Sequence, residues 1–319
     1  MNTPAADTHF ARLARFDHAR SLPALAAAWQ IDPASLTRVQ GGINITYRFR
    51  AQGKTGYLKI THAAERDERA VDATQTFLAH LFNEGAPVNA PWPTRDGAWF
   101  ASVPQEDDRY VACAVAGVPG ELLADTLLPT AQWQAWGAAL GQLHRAAAGY
   151  DPGELHYKTW SGVWARLGAL LEPDDEPGQR EYAAIDAFFK TLPQSPESFG
   201  HTHFDVRAGN MLWDGERVRV IDFDDVVTHW WMADIGRPFL GQHDAPLEAR
   251  RAALAAFATG YRAHFDLPDE WLALLPWFNR MKRMDFYAWD LIHWDPARTE
   301  SKADFKARFH RLFADPIQW

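Results

Sequence analysis

The chain has 319 residues, 47% of them hydrophobic and 23% charged, with a net charge of −9. That length allows two domains or two lobes and a substantial core, while the acidic balance speaks against nucleic acid as the main partner. The single cysteine, Cys113, excludes an internal disulfide framework and a cysteine-built zinc site. Residues 1–20 carry acidic side chains and no continuous apolar core, so they do not read as a signal peptide. No stretch approaches the roughly 18 uninterrupted apolar residues of a membrane span. A cytoplasmic protein without membrane contacts is expected.

The first third reads as a small sheet with one main helix. Residues 36–39, 47–50 and 57–60 have strand character, joined by Gly41-Gly42-Ile43-Asn44 and by Gln52-Gly53-Lys54. A glycine pair in the first turn lets backbone N–H groups approach an anion closely, although most such pairs are plain hairpin turns. Lys59 is a single cation flanked by Leu58 and Ile60. A helix follows, with Val71, Thr74, Phe77, Leu78, Leu81 and Phe82 at helical spacing and Asn83-Glu84-Gly85 as its stop. Its acidic residues Glu65, Glu68 and Asp72 are candidate partners for Lys59. Strands over 99–103 and 110–115 close the sheet, and the segment from Val115 to Gly120 reads as a hinge whose backbone faces an adenine edge.

From Thr130 onward the pattern is mostly helical: Trp133, Trp136, Leu140 and Leu143 form one buried stripe, and residues 247–265 and 270–294 form two later, aromatic-rich helices. The expected division is a nucleotide-binding lobe over 1–115 and a catalytic and substrate-binding lobe over 116–319.

The most informative stretch is Gly200-His201-Thr202-His203-Phe204-Asp205-Val206-Arg207-Ala208-Gly209-Asn210, followed by Ile221-Asp222-Phe223-Asp224-Asp225. Between the two clusters, short strands around Asp214-Gly215 predict a hairpin that folds Asp222 back toward Asn210. Phosphoryl transfer needs this set: an aspartate to orient a hydroxyl and take its proton, and two oxygen donors for a magnesium ion carrying ATP. Asp205 fits the first role, Asn210 and Asp222 the second, and Arg207 is placed to touch the transferred phosphate. A competing reading takes His201-x-His203-x-Asp205 as the start of a binuclear metal hydrolase site. Val206 stands where that pattern continues with another histidine, and the reading leaves Asn210 and Asp222 unexplained.

These motifs resemble the aminoglycoside phosphotransferase and choline kinase superfamily. The carrying residues are Gly41-Gly42-Ile43-Asn44 with Tyr47, Leu58-Lys59-Ile60, the segment from Phe77 to Val88, Leu140-Gly141-Gln142-Leu143-His144, His203-Phe204-Asp205 with Asn210, and Ile221-Asp222-Phe223-Asp224-Asp225 with Asp234. Homoserine-kinase-like and stress-response kinase groups are the nearest in pattern. The resemblance implies an α+β, bilobal protein-kinase-like fold, with a small antiparallel-sheet lobe and a larger helical lobe. It implies ATP and Mg as cofactors, Asp205 as catalytic residue, Lys59 on the nucleotide phosphates, His203 as a structural residue and Asp234 as a brace of the loop. Where such proteins place a helix glutamate, three residues before Phe77, this chain has Thr74. The expected acceptor is a small hydroxyl-bearing molecule: an amino alcohol, a hydroxy amino acid or an aminoglycoside. A serine or threonine on a protein is the alternative, with a non-catalytic nucleotide-binding pseudokinase behind it; only about a dozen residues separate Asp222 from Asp234, and no Ala-Pro-Glu signature follows.

Overall fold

A computed structural model describes residues 8–39, 43–242, 244–292, 294, 298–315 and 319. The chain divides into two compact units: Met1–Glu84, Val88–Pro119 and Asp151–Tyr157 form one, and Gly85–Pro87, Gly120–Tyr150 and Lys158–Trp319 the other.

The first unit is built on an antiparallel sheet. Its elements are α1 (His9–Ala14), α2 (Ser21–Ala28), β1 (Thr37–Val39), β2 (Ile45–Ala51), β3 (Lys54–His62), α3 (Glu68–Asn83), β4 (Pro91–Trp92), β5 (Phe100–Gln105) and β6 (Asp108–Ala116). The strand order is β1-β2-β3-β6-β4, with β5 also on β6. Alternation along the strands separates two faces. Ile45, Tyr47, Phe49, Leu58, Ile60, Tyr110, Ala112 and Ala114 pack on Leu22, Leu25, Ala26 and Trp29 of the α2 segment. On the opposite face Val111 and Cys113 pack on Val71 of α3. Burying each large side chain contributes about 1.5–3 kcal/mol, so both layers hold the sheet. Helix α3 starts where the Asp67 carboxylate accepts the Ala70 N–H at 2.9 Å, an N-cap. The small helices α1 and α2 are an addition to the sequence reading, which placed one main helix here.

The second unit is mostly helical. Its elements are β7 (Glu121–Leu122), α4 (Thr130–Ala148), β8 (Lys158–Thr159), α5 (Trp160–Gly168), α6 (Glu176–Phe189), β9 (Phe199–Thr202), β10 (Met211–Trp213), β11 (Val218–Val220), β12 (Val227–Trp230), α7 (Met232–Gly236), α8 (Leu247–Arg262), α9 (Asp269–Leu272), α10 (Leu275–Ile292) and α11 (Lys302–Ala314). The single helix expected over 270–294 is split into α9 and α10. Pro276, in the first turn of α10, has no N–H to continue an incoming helix and is tolerated only near a helix start.

Helices α4 and α8 are in backbone contact. An ideal Cβ on Gly137 would lie 1.9 Å from the Phe257 carbonyl oxygen, and one on Gly260 would lie 1.9 Å from that of Gln134. Gly141 of α4 meets the Tyr261 carbonyl oxygen in the same way at 2.5 Å, so three glycines, two on α4 and one on α8, set this crossing. The Trp stripe of α4 packs beside it, Trp133 stacking on Trp136 with centroids 5.4 Å apart and on Phe239 at 5.2 Å.

Candidate active site

Strand β9 lies antiparallel to β12, with Thr202 opposite Val227, and delivers the chain into the loop from His203 to Asn210. Next comes the hairpin of β10 and β11, in register Met211 with Val220 and Trp213 with Val218. Its turn forms as the Asp-Gly pair predicts: Gly215 takes φ +102°, and Asp214 Oδ1 accepts the Glu216 and Arg217 N–H groups at 3.1 and 2.8 Å. The Ile221 N–H then reaches the Asn210 carbonyl at 3.0 Å. Asn210 and the residue before Asp222 are thus hydrogen-bonded neighbours.

Two non-glycine residues at this site have left-handed backbones, Phe204 at φ +68° and Asp222 at φ +73°. Such conformations cost on the order of 1–3 kcal/mol and persist only where the surroundings impose them. For Phe204 the constraint is Asp234 of α7. One carboxylate oxygen accepts the Phe204 N–H at 2.6 Å and the other the His203 N–H at 2.8 Å. Asp234 is fully buried, as is His144 of α4, whose Nε2 lies 3.1 Å from Asp234 Oδ2. A carboxylate only accepts, so His144 carries its proton on Nε2, and Nδ1 accepts from the Tyr261 hydroxyl at 2.7 Å. Burial pulls His144 below its ordinary pKa. Burial would raise the Asp234 carboxyl, but its hydrogen bonds from His144 and the His203 backbone outweigh this and hold it low. A neutral histidine and an ionised aspartate therefore fix the loop from beneath.

Asp205 projects from that loop. Its Oδ2 accepts from Arg207 Nε at 3.0 Å and from Asn210 Nδ2 at 2.9 Å, and Asn210 Nδ2 also donates to the Asp205 carbonyl at 2.9 Å. Arg237 Nε stands 3.6 Å from Oδ1. Both oxygens facing Asn210 are acceptors, which orients its amide and turns its own Oδ1 away from Asp205. Asp222 is half-buried and Asp224 buried, while Asp225 pairs with Lys158 at 3.1 Å.

In the first unit Lys59 sits mid-strand on β3, opposite Thr46 and Cys113, and so on the sheet face that α3 covers. Glu68 lies 3.3 Å from Arg109, which gives that acid a different cation from Lys59. Asp72 is half-buried and its carboxyl is raised by burial. At the expected glutamate position, Thr74 accepts from buried Arg66 at 3.0 Å. Asn44 precedes β2, and Val115, near the end of β6, pairs with Tyr57 and Pro91. Gly41 and Gly42 lie outside the described residues.

His203 has no ring nitrogen left for a metal: Nε2 donates to the Ile221 carbonyl at 2.9 Å and Nδ1 accepts the Asp205 N–H at 3.2 Å. His201 stacks edge-on against Tyr150, and burial pushes it down to about 4. The hydrolase reading thereby loses its second ligand. Three residues here escaped the sequence reading: Arg237, Tyr261 and Lys282. Arg237 had a signal, lying three positions after Asp234 and so on the same helical face. A lysine in the apolar stripe of α10 was the signal for Lys282.

A carboxylate oriented by an asparagine, on a loop braced from the following helix, defines a kinase-type phosphotransferase. The chain belongs to the phosphotransferase enzyme family, whose pattern matches residues 35–274. It is similar to the amicoumacin kinase of Bacillus subtilis (strain 168), with 24% identity over 78% of this chain and 77% of that one. Among solved structures, an amicoumacin kinase in complex with AMP-PNP, Ca2+ and Ami superposes with a TM-score of 0.87, 24% identity and 97% of each chain covered. A microcompartment-associated aminopropanol kinase follows at 0.72, with 20% identity and 90% and 92% covered. A choline kinase of Streptococcus pneumoniae gives 0.62 at 11% identity, with 91% and 94% covered. These likenesses establish the α+β protein-kinase-like fold. Among the described residues, no helix is long and apolar enough to cross a membrane.

Proposed function

We propose that the chain moves the terminal phosphoryl group of ATP to the hydroxyl of a small molecule, with Mg2+ bound. The observation that carries this reading is the Asp205–Asn210 pair. Asp205 accepts from the Asn210 amide, which leaves the asparagine carbonyl to face elsewhere. Asp205 orients the acceptor hydroxyl and takes its proton. The acceptor oxygen forms a bond to the γ-phosphorus as the bond to the β,γ-bridging oxygen breaks, and ADP leaves with that electron pair.

The donor set fits magnesium: Asn210 Oδ1 and the Asp222 carboxylate are hard oxygen ligands. Among the described residues no three His, Cys, Asp or Glu side chains gather into a metal cluster. That matches an ion drawing only one or two ligands from protein and the rest from phosphate and water. When bound, Mg2+ neutralises charge on the β- and γ-phosphates. Lys59 contacts the nucleotide phosphates, with Asp72, Asn44, the Gly41-Gly42 turn and the Val115 backbone as further nucleotide contacts. Arg207 touches the transferred phosphoryl.

Three neighbours whose names denote amicoumacin, aminopropanol and choline kinases support a small acceptor. The path from Asp222 to Asp234 is also taken up by β12, packed between β8 and β9, rather than by a peptide-docking loop. The test is Mg-dependent ADP release from ATP across amino alcohols, hydroxy amino acids, aminoglycosides and protein acceptors, with Asp205→Asn as control. Transfer above that control to a small molecule supports the reading. Transfer to protein alone overturns the acceptor class, and ATP binding without any transfer points to a pseudokinase.

A further inference from the structure

Arg237 has a buried Nε donor without a hydrogen bond, and its one ion pair among the described residues is a loose one with Asp205. Its side chain is only 15% exposed, its guanidinium carbon stands 4.7 Å over the Phe286 ring, and it makes no hydrogen bond among the described residues. Burial lowers its pKa, opposed by the charges of Asp205, Asp125 and Asp285. A guanidinium carries five donors, and leaving the buried Nε donor unmade is costly. Asp205 Oδ1 stands 3.6 Å from its Nε, an ion pair outside hydrogen-bond range. Asp205 Oδ2 already holds Arg207 and Asn210. An acceptor hydroxyl that meets Asp205 does so on the Oδ1 side, next to Arg237. Behind it, Lys282 is 2% exposed, with its ammonium 3.0 Å from the centroid of the Phe204 ring and 3.3 Å from Asp285. Burial lowers its pKa, opposed by the charges of Asp285 and Asp205.

We propose that Arg237 is an oxyanion subsite for the acceptor, and that the phosphorylated molecule carries a carboxylate close to its hydroxyl: a hydroxy acid or hydroxy amino acid rather than an amino alcohol or aminoglycoside. A planar carboxylate matches the guanidinium fork in two parallel hydrogen bonds. The substituent of a polycationic acceptor would instead meet Arg237 with Arg207 and Lys282 nearby. The transferring phosphoryl group is the other source of the same chemistry. Arg207, on the opposite oxygen of Asp205, is the residue assigned to it. The inference rests on the phosphotransferase reading of Asp205.

The experiment uses the full chain with ATP and Mg2+ and three matched sets of acceptors: hydroxy amino acids, their carboxamides, and the amino alcohols left by removing the carboxylate. Acceptor KM, kcat and ATP KM are measured for the wild type, Arg237→Gln and Arg237→Lys, with folding checked by thermal melting. The expected result is a wild-type preference for the carboxylate member. In Arg237→Gln the acceptor KM for that member rises roughly 10- to 100-fold, the ATP KM is unchanged, and Arg237→Lys recovers part of the loss. Two results overturn the proposal while leaving the kinase reading intact: amino alcohols or aminoglycosides as the better acceptors, or an equal loss of kcat with every member, which places Arg237 on the phosphoryl group. If no acceptor is phosphorylated, calorimetric titration of the hydroxy acids with a non-hydrolysable ATP analogue present decides. Binding that Arg237→Gln abolishes supports the subsite although the kinase reading has failed, and no binding to the wild type overturns the subsite.

Discussion

Asn210 donates through one nitrogen to both the backbone carbonyl and the carboxylate of Asp205, each at 2.9 Å. The bond to the carbonyl closes the loop, and the bond to the carboxylate aims the side chain. Asn210→Ala removes both together with the proposed metal oxygen. The expected loss in kcat is roughly 10²–10³-fold, with the melting temperature changing far less. Steady-state ADP release checks this; near wild-type turnover in Asn210→Ala would remove the residue from the site.

Asp234 holds two backbone N–H groups of the loop and pairs with a buried histidine. Removing one partner of such a buried network leaves uncompensated polar groups, so Asp234→Ala should cost about 3–5 kcal/mol. It should also lower activity, since Phe204 loses the contact that keeps its left-handed backbone. Chemical denaturation of the variant measures the first effect and turnover the second. A cost near zero would show that Phe204 holds its conformation without Asp234.

Lys59→Ala should raise the KM for ATP by roughly tenfold or more, the value of a charge-assisted contact to phosphate. The stability cost should be small, since Lys59 is only half-buried among cross-strand partners. Unchanged nucleotide affinity and turnover would take Lys59 out of the nucleotide site.

Gly137 and Gly260 have no room for a methyl group, because each Cβ would fall on a backbone carbonyl of the facing helix. Backbone cannot move aside as a flexible side chain can. Gly260→Ala should therefore destabilise the fold by about 1–3 kcal/mol or more, the usual cost of overpacking, although alanine is the better helix former. An unchanged or raised melting temperature would contradict the helix contact.

His229 is buried against Phe189, Trp230 and Phe204. Burial, assisted by the charge of Lys282, pushes its pKa from 6.5 down to about 3. In the unfolded chain it takes up a proton near its ordinary pKa, while in the folded protein it stays neutral. Its contribution to stability is therefore complete above pH 6.5 and declines as the pH falls from 6.5 toward about 3. The slope is on the order of 1.4 kcal/mol per pH unit. His201 acts in the same direction down to about 4, with a smaller weight because it is less buried. Denaturant midpoints followed downward from neutral pH should fall, and His229→Gln should flatten the decline; an identical slope in the variant would assign the acid sensitivity elsewhere.

The hairpin that brings Asp222 back to Asn210, the α3 stripe and the main strands of the first unit were legible in the chain. Each depends on residues fewer than about twenty positions apart, with a period of 2 or 3.6 and a turn residue at the end. Asp205, Asn210 and Asp222 are visible for the same reason, as their spacing is itself the motif. The short helices α1 and α2 were not read, because their apolar residues gain a role only against the sheet face that covers them.

By itself, the sequence determined the kind of chemistry: a carboxylate, a carboxamide and a second carboxylate around one hairpin, and a lysine on a strand. Beyond the local Arg207 and Asn210, packing of distant elements decided what gathers around Asp205. Arg237 comes from the turn just after α7, Lys282 from α10, and the chain from Tyr261 through His144 to Asp234 from α8, α4 and α7, and they meet only after these helices pack. No local period encodes such a meeting. It follows from burial, which admits a charged or polar group only where a partner on another element satisfies it.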